Sequence, residues 1–74
     1  MKVKFVICPD TKEVTALFPE EVEGWGFYMC YAHVGQHSSY SLGWAKTQKD
    51  ATKEEYSDLL KELISIGYDN LEII

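Results

Sequence analysis

Seventy-four residues suffice for one domain and are too few for two. The chain is 46% hydrophobic and 14% aromatic, which argues against disorder and places large side chains in a core or an interface. Seven basic and twelve acidic residues leave a net charge of −5, which favours solubility and disfavours non-specific binding to nucleic acid.

A domain of this size buries only about 60% of the surface its unfolded chain exposes, so a metal, a disulfide or a partner subunit often supplements the core. Cys8 and Cys30 allow at most one internal disulfide. The apolar run after Lys2 and Lys4 is stopped by Pro9-Asp10 before it reaches signal-peptide length. No stretch approaches the roughly 20 apolar residues of a membrane span. The expectation is a cytoplasmic protein with reduced thiols and no membrane attachment.

In chain order, Val3, Phe5 and Ile7 alternate with Lys2, Lys4, Val6 and Cys8, the period of a strand over residues 2–8. Pro9-Asp10-Thr11-Lys12 reads as a turn, because proline pre-sets φ and aspartate bonds locally. Glu13 to Phe18 alternates again, with Val14, Ala16 and Phe18 on one face, so the two segments form an antiparallel hairpin. Pro19-Glu20-Glu21-Val22-Glu23-Gly24 is expected to stop the second strand as an acidic loop.

Trp25 to Val34 is the expected third strand. Tyr28, Cys30, Ala32 and Val34 share one face, and Phe27, Met29, Tyr31 and His33 the other. Both faces are largely apolar, as in a central strand covered on both sides. From Gln36 to Asp50 the pattern lapses into a serine-rich loop, although Tyr40, Leu42 and Trp44 alternate and could form a short extra strand. Unpatterned connections of this length tend to be functional or disordered.

Thr52-Lys53-Glu54-Glu55 fits a capping box, and Tyr56, Leu59, Leu60, Leu63 and Ile64 follow helical spacing. Gly67 fits the left-handed residue beyond the helix end, with Tyr68 placed to touch Leu63. Leu71 to Ile74 is a short final strand, expected to pair in parallel after the helix crossover. The predicted fold is a single α+β domain over residues 1–74. Its small sheet of three to four mainly antiparallel strands has a hairpin and a central third strand, with one helix on one face. The helix leaves the other face, expected to carry Val6, Leu17, Phe27, Met29 and Tyr31, to be covered by the 36–50 segment with Trp44 as a plug, and by a second subunit.

Cys30, His33 and His37 have types and spacing that resemble a zinc cluster, with His33 and His37 able to converge across Gly35. Against this, residues 30 and 33 leave opposite faces of a regular strand, and no fourth ligand is evident nearby. His37-Ser38 pairs a base with a nucleophile, but neighbouring side chains rarely face one another, and no orienting carboxylate can be assigned. The serine elbow and the phosphate-cradling glycine loop are both missing, so no catalytic residue is assigned and no cofactor is expected.

The run Cys30-Tyr31-Ala32-His33-Val34-Gly35-Gln36-His37-Ser38, with Ala51-Thr52-Lys53-Glu54-Glu55-Tyr56 and Ile66-Gly67-Tyr68, resembles a group of short uncharacterised proteins of bacteria and their phages. The resemblance implies a small bacterial, cytosolic protein and carries no activity. The residues themselves favour a non-enzymatic protein-interaction module, a homodimer, recognising its partner through the 33–44 segment with Gln36, His37, Ser38, Tyr40 and Trp44. The competing reading is a metal- or small-ligand-binding protein centred on His33 and His37.

Overall fold

A computed structural model describes residues 1–32 and 36–74. It contains the strands β1 (Lys2–Ile7), β2 (Val14–Gly24), β3 (Phe27–Ala32) and β4 (Gln36–Ser41). A short helix α1 (Leu42–Ala45), β5 (Lys49–Asp50), the main helix α2 (Lys53–Ser65) and β6 (Glu72–Ile73) follow. The sheet runs β4-β3-β2-β1-β5, with β6 also on β1. The α+β class and the single main helix are as the sequence predicts. The sheet has six strands instead of three or four, two of them only two residues long.

The first hairpin forms as its alternation dictates. Phe5 lies opposite Ala16 and Ile7 opposite Val14. The Cys8 amide donates to the Glu13 carbonyl at 2.9 Å and the Lys12 amide to the Cys8 carbonyl at 2.8 Å, closing the turn. Val3, Phe5, Ile7, Val14, Ala16 and Phe18 form the helix-side core with Tyr31, Leu59 and Leu63.

The helix caps match the sequence at both ends. Thr52 Oγ1 accepts from the Glu55 amide at 3.2 Å, and Glu55 Oε1 accepts from the Thr52 amide at 2.8 Å. At the other end the Tyr68 amide donates to the Leu63 carbonyl at 3.0 Å and the Gly67 amide to the Ile64 carbonyl at 3.2 Å, a Schellman pattern. Leu59 and Leu63 are fully buried. Each contributes about 1.5–3 kcal/mol of transfer free energy before ordering entropy is subtracted. Tyr56 stacks on Phe5 at 4.4 Å and Tyr68 on Phe18 at 5.3 Å, while Ile64 turns out to solvent. The final strand pairs in parallel with β1, Lys2 opposite Glu72.

Three expectations need correction. Residues 19–24 belong to β2 and are not a loop. Phe18 lies opposite Met29 and Val22 opposite Tyr28, so three extra residues bulge from β2 between these pairs. The bulge starts at Pro19, which has no amide to give the ladder. Trp25 and Gly26 form the hairpin tip instead of starting the third strand, and Trp25 is wholly exposed. Residues 36–41 are a full strand, and Leu42 and Trp44 then enter a helical turn instead of continuing it.

The second face of the sheet also differs. Tyr31 and Met29 pack on the helix side, whereas Val6 and Leu17 share the opposite face with Cys30 and Tyr40. These four are each 5% exposed or less, with Tyr28 and Ala45 packed against them, so they need no second subunit to hide them. Among the described residues no helix is long and apolar enough to cross a membrane.

Candidate functional site

The feature that stands out is β4. It pairs with β3 through six consecutive positions, from Ala32 opposite Gln36 to Phe27 opposite Ser41. Its other side meets no strand among the described residues. An edge of this kind presents a row of unpaired amides and carbonyls, and proteins normally guard such rows with lysine, proline, a bulge or short length. The strand Gln-His-Ser-Ser-Tyr-Ser carries none of these. The opposite side of the sheet is guarded. There β1 is shared by β5 and β6, two residues each, and both bring charge through Lys49, Asp50 and Glu72.

The two faces of β4 have different chemistry. His37, Ser39 and Ser41 share the helix face, because they lie opposite Tyr31, Met29 and Phe27. His37 Nε2 is 2.8 Å from the Tyr68 hydroxyl, and its ring meets Tyr31 edge-on at 4.8 Å. Tyr31 is fully buried, and its hydroxyl donates to the Glu62 carboxylate on α2. A buried phenol needs such a partner. Burial, and after it the nearby Glu21 carboxylate, raises the Tyr68 phenol above its ordinary pKa. Histidine 37 therefore ties the edge strand to the helix terminus.

On the other face Ser38 Oγ lies 3.2 Å from Cys30 Sγ. Tyr40 is 5% exposed and sits 5.8 Å from the Tyr28 ring and 6.2 Å from the Trp44 ring. Burial raises the Tyr40 phenol, with Cys30 and Tyr28 adding to the shift. Ser41 caps α1 by accepting from the Trp44 amide at 3.1 Å, which fixes Trp44 just beyond the strand. Phe27, Tyr40 and Trp44 with Ser38 and Cys30 line an open cleft of about 330 Å³ along this edge. A larger hollow of about 610 Å³ lies between the end of α2 and β6, lined mostly by Leu60, Ile64, Leu71 and Ile73.

The residues singled out from sequence thus occupy one strand and its exit but not one pocket. Gln36 opens the strand, His37 faces the helix, and Ser38, Tyr40 and Trp44 gather on the cleft. His33 lies outside the described residues. Cys30 and His37 sit on opposite faces, which separates two members of the expected metal cluster. Among the described residues no group of three or more histidine, cysteine or acidic side chains could hold a metal ion. His37 and Ser38 also diverge, so their pairing as base and nucleophile has no geometry here. Ser39, Tyr68 and Glu62 are not among the site residues the sequence singles out; Tyr68 carries a signal through the helix-end motif, and Phe27 one as part of the apolar face expected beneath Trp44.

Compared with protein-family models, curated proteins and solved structures, the chain matches none.

Proposed function

We propose that this protein is a non-enzymatic cytosolic interaction module that recognises a partner by adding the partner's extended segment to β4. The supporting observation is the contrast between the two sides of the sheet: an open, uncharged six-residue edge at β4 and short, charged strands on β1. Strand addition draws affinity from main-chain hydrogen bonds and specificity from pockets that take alternate side chains. The cleft of Phe27, Tyr40 and Trp44 beside the edge is such a pocket for an apolar side chain.

The test is a tagged capture from the native host with wild type, Ser39→Lys and the surface control Lys61→Ala. A partner retained by the control and lost with Ser39→Lys supports the reading. Identical partner sets for all three contradict it.

A further inference from the structure

We infer that the segment added to β4 is the β4 strand of a second copy of this chain, giving a two-fold dimer with one continuous sheet. This rests on the reading of β4 as a recognition strand and names its occupant.

The strand is complementary to itself. In an antiparallel pair related by a two-fold axis normal to the sheet, one residue faces its own copy, and side chains opposite each other stay on the same face. Centred on Ser39, such a pair sets His37 opposite the second copy's Ser41 and Ser38 opposite its Tyr40. Centred on Ser38, it sets His37 opposite the second copy's Ser39. Small hydroxyl side chains face the larger ones throughout the first register, whereas the second also sets Gln36 opposite the second copy's Tyr40. Helix α2 of each copy stays on the same side of the joined sheet.

Charge does not oppose the association, despite a net charge of −5 on each copy. Residues 36–41 carry no acidic or basic group other than the histidine. The four glutamates of residues 13–23 lie on or beside β2, two strands in from the edge. At roughly 4.8 Å per strand those of the two copies are about 24 Å apart, well beyond the Debye length of about 8 Å at physiological salt. Leu42 and Trp44, 55% and 39% exposed, follow the strand directly, and the two-fold axis carries each pair toward the start of the other copy's β4.

The test is sedimentation velocity of the full chain from 1 to 200 µM concentrations, about two decades around the affinity of a modest interface. Wild type is expected to convert from monomer to dimer. Ser39→Lys, which brings two like charges close together at the seam, should raise the dissociation constant by about tenfold or more. Circular dichroism confirms that the variant folds. Single Ser38→Cys and Ser39→Cys variants, made in a chain carrying Cys8→Ser and Cys30→Ala so that neither native thiol competes, provide a second readout that is independent of that variant's stability. Residues facing their own copy fall within the 4.4–6.8 Å Cα spacing of a disulfide, so one of the two should cross-link rapidly under mild oxidation and an exposed control, Lys53→Cys, should not.

A wild type that stays monomeric at 200 µM overturns the second-copy inference, and the capture experiment then decides separately whether β4 binds another protein. A dimer that neither cysteine cross-links also overturns it, by placing the interface elsewhere.

Discussion

Removing the Tyr31 hydroxyl probes a part-buried polar contact between the sheet and the main helix. In Tyr31→Phe the ring keeps its place in the helix-side core and beside His37, and the bond to Glu62 is lost. A hydrogen bond to an ionised group is worth about 1.5–3 kcal/mol. Glu62 is only half-buried and can take up water when the phenol is gone, so the lower end applies, about 1.5 kcal/mol. For a domain of this size that lowers the melting temperature by roughly 6–12 °C. Urea unfolding followed by circular dichroism measures it, at one fixed protein concentration because any self-association would shift the midpoint. The slope should be unchanged, since the buried surface is the same. A cycle with Glu62→Gln should return a coupling of about 1 kcal/mol. A loss below 2 °C, or additive single effects, would refute the assignment of Tyr31 and Glu62 as an energetic pair.

Three further outcomes follow. Gly67 has φ of +115°, and an added Cβ would meet nothing within 4 Å, so Gly67→Ala measures backbone strain alone. It should cost about 1–2 kcal/mol in urea unfolding. The Cys8 thiol is lowered by the Thr11 hydroxyl and then by the Thr11 and Asp10 amides, whereas Cys30 is buried. Iodoacetamide should therefore label Cys8 first, with a rate that rises at lower pH than for a free thiol, as peptide mass spectrometry would show. The phenols of Tyr40 and Tyr68 should ionise above the ordinary tyrosine range in a spectrophotometric titration. Because the folded state holds those protons more tightly, their contribution to stability is complete below about pH 10 and declines as pH rises beyond it.

Much of the fold was legible where the signal is local. The first hairpin follows from alternation on both sides of Pro9-Asp10, and the helix from Thr52, Glu55 and Gly67, whose cap bonds span only a few residues. Long-range pairing was not legible. Ser38, Ser39 and Ser41 have no strand preference of their own, and β4 exists because β3 supplies six partners for it. Pro19 and the glutamates after it have the composition of a loop, yet they bulge within a strand that continues to Gly24.

The faces of β3 could not be ordered from sequence, because both are apolar and nothing in the pattern says which meets the helix. For the same reason residues 36–41 stand out in the sequence as one segment, but their character as an open edge emerges only from the strand order. Serine reads as loop when its neighbours are unknown, and as an uncharged seam once they are.

Amide hydrogen exchange resolved along residues 36–41 tests the central claim most directly. In dilute protein, alternate amides of β4 that point away from β3 should exchange as open backbone, while those bonded to β3 are protected. Raising the concentration, or adding a captured partner, should protect the open set by tenfold or more and leave β5 and β6 unchanged. Protection that builds on another surface while the outer amides of β4 stay open would contradict the assignment of this strand as the recognition element.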